Sequence, residues 1–190
     1  MTNNYIKSVM EKGTFNVSSS FKLFGEIKTC EFKIDTGCSV TCIPIKRLGV
    51  DNEMALELKH KALLSGARYV RSYGVSDTSV IRQRDDQLIK NDKAIDCKAL
   101  KFYHHIKDWE LSQFYIGEAV IGVNYDRTSN ILLGMDILKD WDIHIGKSVL
   151  TGETIFLGCP NNKITQEYLQ ALKDEFSIHR GSSPFFPIFT

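Results

Sequence analysis

No charge of either sign predominates in this sequence: 24 Lys and Arg stand against 23 Asp and Glu, a formal net charge of +1 over 190 residues. It also has no long basic run with interleaved aromatics, so neither a nucleic-acid partner nor an anionic membrane surface has electrostatic support. No uninterrupted apolar stretch approaches the roughly 20 residues that a transmembrane helix needs. The N-terminus Met1-Thr2-Asn3-Asn4-Tyr5 is polar and does not read as a secretory signal. Cys-x-x-Cys spacing is missing too. The five cysteines, at 30, 38, 42, 97 and 159, form an odd set and read as reduced thiols in a cytoplasmic protein rather than as a disulfide or metal framework. His104-His105 and Cys97 do not make a zinc site, because adjacent histidines in a strand face opposite ways and no second ligand pair stands at zinc spacing.

What is present is β-type patterning in a chain long enough for one substantial core and short for two independent domains. Residues 1–13 are polar and end in Glu11-Lys12-Gly13, which suggests an N-terminal arm and a turn. The pattern then predicts strands at Thr14–Val17 and Phe21–Phe24, separated by Ser18-Ser19-Ser20, and an alternating strand over Glu26–Ile34. Further strands are expected at Val40–Ile43, with Pro44 opening an exit turn, at Ala94–Tyr103, at Phe114–Val123 and at Ile131–Gly134. A short helix follows over Met135–Trp141, and the strands Trp141–Ile145 and Thr154–Leu157 close the β portion. The charged stretch Arg82–Gln87 reads as a solvated turn. From residue 160 the texture changes: Ile164, Tyr168, Leu169, Leu172 and Phe176 fall on one face of an amphipathic helix, followed by an apolar, proline-restricted tail through Phe185-Phe186-Pro187-Ile188-Phe189.

Chemistry concentrates at Asp35. A carboxylate on a tight Thr36-Gly37 turn between two apolar strands would be held rigidly and partly desolvated, the setting in which a carboxyl can be tuned for acid or base work. Two passages together carry a resemblance to a known family. Ile34-Asp35-Thr36-Gly37, with Thr41-Cys42-Ile43-Pro44 after it, resembles the active-site loop of retropepsin-like aspartic proteases. Ile131-Leu132-Leu133-Gly134 followed by Met135-Asp136-Ile137-Leu138 resembles their later strand and short helix.

The resemblance implies a mainly β, closed or partly barrel-like domain over residues 14–159, with the added C-terminal helix and tail at 160–190. In it the Leu133-Gly134 strand would support the loop bearing Asp35. It also implies an aspartic endopeptidase acting on polypeptides, with no cofactor and no metal. Such enzymes need two carboxylates, and family members with one motif per chain supply the second by forming a homodimer. Asp77-Thr78-Ser79 is a near match within the chain but lacks the glycine. Asp35, Thr36 and Gly37 would be the catalytic residues, Thr36 bracing the two loops and Gly37 allowing the tight turn.

Cys38 departs from the Ala or Ser usual in the family. A thiol is a weaker donor than a hydroxyl, which implies a mildly acidic to near-neutral optimum; Cys38 itself reads either as a small filler or as an oxidation-sensitive group. A hairpin from about Leu63 to Val75 is the candidate flap, with Cys38, Ser65, Gly66 and Ala67 as substrate-binding residues and an ordinary edge hairpin as the other reading. The apolar tail reads as a frayed end, a contact to the helix, or a peptide able to enter a cleft. Two readings from other classes stay open: a non-catalytic peptide-binding or dimerisation module with the same fold, and a lectin-like β-sandwich in which Asp35 is incidental.

Overall fold

A computed structural model describes residues 4–23, 25–49, 53, 82–84, 87–90, 93–94, 101–124 and 130–177. The strands are β1 (Ile6–Val9), β2 (Asn16–Leu23), β3 (Glu26–Ile34), β4 (Cys42–Pro44), β5 (Arg82–Arg84), β6 (Gln87–Lys90), β7 (Lys93–Ala94), β8 (Lys101–Leu111), β9 (Phe114–Asn124), β10 (Leu132–Leu133), β11 (Trp141–Lys147) and β12 (Thr154–Pro160). Two short helices among the described residues, α1 (Met135–Leu138) and α2 (Gln166–Phe176), accompany them. The fold is mainly β, as expected, and its centre is a closed six-stranded barrel in the order β10-β3-β2-β8-β9-β4. None of the helices is long and apolar enough to cross a membrane, among the described residues.

Alternation along the strands fills the barrel. Val17, Ser19, Phe21 and Leu23 of β2 and Cys30, Phe32 and Ile34 of β3 turn inward, whereas Ser18, Lys22, Glu31 and their neighbours face out. Phe32 meets Phe21 edge-on at 6.3 Å between centroids and Trp109 of β8 at 6.2 Å. Ile106, Leu111, Ile121 and Val123 from the β8–β9 hairpin join the same core.

The serines at 18–20 do not separate two strands, because β2 runs straight through them. Ser19 and Ser20 each find a partner that keeps the ladder intact. Ser19 is buried, donates to the Glu110 carbonyl at 3.1 Å and accepts from the Trp109 indole N–H, and Ser20 shares a 3.0 Å hydrogen bond with Thr29. A buried hydroxyl satisfied on both sides costs little, so it does not break a strand. The stretch Arg82–Gln87, expected as a turn, contributes β5 and the start of β6, with Arg84 paired to Gln87. Together with β7 these make a small three-stranded sheet.

A second sheet, β1-β12-β11, lies beside the barrel. The polar N-terminal segment thus supplies a strand, Ile6–Val9, antiparallel to β12 in register with Gly158–Ile155. Helix α2 packs on this sheet. Its buried stripe is Tyr168, Ala171, Leu172 and Glu175, while Ile164 is 46% and Leu169 38% exposed, so the expected stripe is displaced. Thr165 accepts from the Tyr168 N–H at 3.2 Å, so the helix starts after Ile164, and packing of Tyr168, Ala171 and Leu172 against Ile155, Leu157 and Cys159 selects the buried face. Glu175 is tolerated inside because Lys7 of β1 pairs with one carboxylate oxygen and the Ser148 hydroxyl donates to the other.

Candidate active site: the Asp35 loop

Strand β3 carries the chain to Asp35 and β10 tells it where to stop. Leu132 and Leu133 lie parallel to Lys33 and Ile34, and Leu132 also pairs antiparallel with Cys42 of β4. The Lys33 N–H donates to the Ile131 carbonyl at 3.0 Å and the Asp35 N–H to the Leu133 carbonyl at 2.9 Å. Asp35 therefore sits at the last rung of a ladder, with its side chain partly exposed where the pairing ends.

The turn beyond it closes on the carboxylate. The Gly37 N–H donates to Asp35 Oδ1 at 2.9 Å, and the Cys38 N–H to the Asp35 carbonyl at 3.2 Å. This is the geometry in which an Asp side chain stands in for a backbone turn. A methyl group on Gly37 would lie 3.3 Å from Oδ1, so the glycine leaves room for the acid to stay where it is. Thr36 is exposed beside it.

Two residues not singled out individually in the sequence lock this loop from behind. Thr41 is fully buried; its hydroxyl donates to Asp136 Oδ1 at 2.7 Å and accepts from the Gly134 N–H at 3.0 Å. The same Oδ1 accepts from the Thr41 N–H at 2.9 Å and the Ile137 N–H at 3.0 Å. Met135 N–H donates to the Cys38 carbonyl at 2.7 Å, and Gly122 N–H to the Thr41 carbonyl at 3.0 Å. Gly134 makes this possible by being small: a Cβ there would fall 2.7 Å from the Val40 carbonyl carbon, 2.8 Å from the Cys38 oxygen and 2.9 Å from the Thr41 nitrogen. The signals were a hydroxyl inside the apolar run Val40–Ile43 and an acid two residues after the glycine. This network also explains why β4 begins at Cys42 and extends to Pro44, with the 3-10 turn Ile45–Leu48 following: Ser39 and Val40 are drawn into the loop.

Asp35, Thr36, Gly37, Leu133 and Gly134 are thus brought together. The Cys38 thiol turns to the Val40 carbonyl at 3.0 Å and so serves the loop's own backbone. Ser65, Gly66, Ala67 and the rest of the candidate flap, Asp77-Thr78-Ser79, Cys97 and the tail from residue 178 lie outside the described residues. His104 is half-buried and His105 exposed, on opposite faces of β8; burial pushes His104 down to about 4, and His105 Nε2 lies 3.0 Å from Glu118. Among the described residues no three His, Cys, Asp or Glu side chains gather as a metal site would require.

With this geometry in view, the chain can be set beside proteins of known structure. The chain is similar to the crystal structure of a retropepsin-like aspartic protease from Rickettsia conorii. The identity is 16%, the match covers 82% of this chain and 91% of that one, and the TM-score is 0.47. No family model matches the chain, and no curated protein matches it.

The chemistry open to the loop follows from its own atoms. One oxygen of Asp35 is held by a backbone N–H, while Oδ2 makes no hydrogen bond in the described structure. A carboxylate fixed in this way has one face free to accept a proton from a reactant or to share one with a second carboxyl group.

Proposed function

We propose that the protein is an aspartic endopeptidase that hydrolyses polypeptides as a homodimer, each subunit contributing one Asp35. The observation that carries this reading is the placement of Asp35 at the end of the β3–β10 ladder, with Oδ1 held by Gly37 and the loop locked by the Gly134–Thr41–Asp136 network. A loop so constrained presents its acid without reorganising, which is what charge development in a transition state rewards.

In the dimer two Asp35 side chains within hydrogen-bond reach share one proton, since two adjacent carboxylates cannot both ionise cheaply. The ionised carboxylate accepts a proton from water as that water attacks the peptide carbonyl. The protonated one hydrogen-bonds the carbonyl oxygen and then helps to protonate the leaving nitrogen. In this reading Thr36, exposed in the turn, braces the two loops against each other. Cys38 and the Ser65-Gly66-Ala67 segment are assigned to the substrate side. Cys30, Cys38, Cys42 and Cys159 are thiols rather than disulfides, which supports a reducing, cytoplasmic setting.

The test is cleavage of a random peptide library at several pH values by wild type and Asp35→Asn, with the mass of each in solution measured alongside. Cleavage by a dimeric wild type and none by an equally dimeric Asp35→Asn is the expected result. Cleavage that survives the substitution, or a monomer at working concentration, overturns the reading. Binding of peptides without cleavage would assign the chain to non-catalytic recognition instead.

A further inference from the structure

A half-open cavity of about 410 Å³ lies between the start of β9, α1 and the turn after β12. Its lining mixes aromatic rings with charged and amide side chains. Phe114 and Trp141 form an aromatic corner, edge to face at 6.0 Å, and Tyr115 extends the wall outward with 59% of its surface exposed. Asp136 and Asp140 supply carboxylates from the α1 side. The wall is closed by the Asn161 N–H, which donates to the Asp140 carbonyl at 3.0 Å. Beyond the rim the Tyr115 hydroxyl donates to Asp108 at 3.3 Å, adding a third acid to the neighbourhood.

One cation is already seated there. Lys163 Nζ stands 5.9 Å from the centre of the Phe114 ring, within the reach of a cation–π contact. An aromatic corner flanked by two carboxylates, with a single lysine from its own chain at the ring, is complementary to a positive group and has charge to spare for one.

We propose that this cavity binds an arginine or lysine side chain of a polypeptide, displacing Lys163 from the Phe114 ring, and that its occupation is felt at the Asp35 loop through Asp136. The coupling has a defined route. Asp136 lines the cavity and uses Oδ1 to hold Thr41 N–H, Thr41 Oγ and Ile137 N–H at 2.7–3.0 Å. A cation drawn to the other oxygen competes for the same carboxylate and alters how firmly Thr41, and with it Gly134, is held. The site therefore does not include Asp35 yet shares one residue, Asp136, with the network that supports its loop.

The experiment uses the full chain, isotope-labelled, titrated with N-acetyl-arginine amide and followed by NMR at the Trp141 indole and the Thr41 amide. N-acetyl-norleucine amide is the control for apolar filling. Arginine amide is expected to give saturable shifts at both positions, with binding weakened about fivefold or more by Asp140→Asn and tightened by Lys163→Ala, which removes the internal competitor. Norleucine amide is expected to give none. Absence of saturation, equal binding of norleucine amide, or affinity unmoved by both variants overturns the site. Saturable shifts at Trp141 with none at Thr41 overturn the coupling. None of these readouts uses peptide hydrolysis, so the outcome is independent of whether the chain is a peptidase.

Discussion

The Thr41 hydroxyl lies 2.7 Å from a carboxylate oxygen of Asp136, a residue 95 positions later in the chain, and the same hydroxyl receives the Gly134 N–H. Asp136→Ala leaves the Thr41 N–H, the Thr41 hydroxyl and the Ile137 N–H without their acceptor. The expected loss is about 2–4 kcal/mol in urea denaturation, and Asp136→Asn, which keeps a carbonyl oxygen in place, should lose clearly less. Equal losses for the two would mean that the hydrogen bonds are not what the carboxylate contributes.

Gly134 and Gly37 should respond differently to the same change. Gly134→Ala places a methyl group within 2.9 Å of three backbone atoms of the Asp35 loop, so strands must part; a loss of about 3 kcal/mol or more is expected. Gly37→Ala meets a side-chain oxygen at 3.3 Å in an exposed turn. It should cost under about 1 kcal/mol while displacing the Asp35 carboxylate, and with it should sharply lower the proposed hydrolysis. The comparison needs both a denaturation curve and an activity assay on each variant.

His104 makes stability depend on pH. Burial pushes its imidazole from 6.5 down to about 4, so the unfolded chain binds a proton over an interval in which the folded chain does not. Stability is full above about pH 6.5 and falls as pH drops from 6.5 towards 4, by up to about 3 kcal/mol. His104→Gln should flatten that part of the profile, read as urea midpoints at pH 7.5, 5.5 and 4.5. A variant that keeps the wild-type slope would place its origin elsewhere.

The Lys7–Glu175–Ser148 cluster adds a second, more acidic step. Burial alone would raise the Glu175 carboxyl, but the Lys7 ammonium and the Ser148 hydroxyl outweigh it and hold the group below 4.5. The cluster thus stabilises the fold above about pH 4.5 and its contribution disappears as pH falls through the lowered value. Because Lys7 is 37% exposed and solvent screens the pair, the contribution is at most about 1 kcal/mol. At pH 7, Lys7→Met should cost more than Glu175→Gln, since only the former strands a charge inside. Thermal melts followed by helix signal decide it.

How far the sequence could be read is clearest from neighbouring residues. β3 was legible because Glu26–Ile34 alternates cleanly, β9 because its apolar character is nearly continuous, and β11 because Trp141, Ile143 and Ile145 alternate with polar residues. Ser19 was not, since a serine's place in a core depends on Trp109 and Glu110, 90 and 91 residues away. The face of α2 was misjudged because packing against Ile155, Leu157 and Cys159 selects it, which local periodicity does not reveal. At the candidate site Asp35, Gly37 and Gly134 stood out as turn and close-approach residues. The role of Asp136 could not be derived from spacing, because Thr41, which supplies two of its three partners, comes within reach only once the barrel closes.

That closure rests on a strand of two residues. Leu132 and Leu133 join β3 to β4 and complete the ring, yet they are made roughly 100 residues after Asp35. On a ribosome the chain therefore exposes its acid long before it can organise it. The loop acquires its geometry only after Gly134 and Asp136 have emerged, and β1 finds its partner later still, when β12 appears. A nascent chain truncated before residue 132 would carry the complete Asp35-Thr36-Gly37 sequence without the strand and the Gly134–Asp136 network that organise its turn.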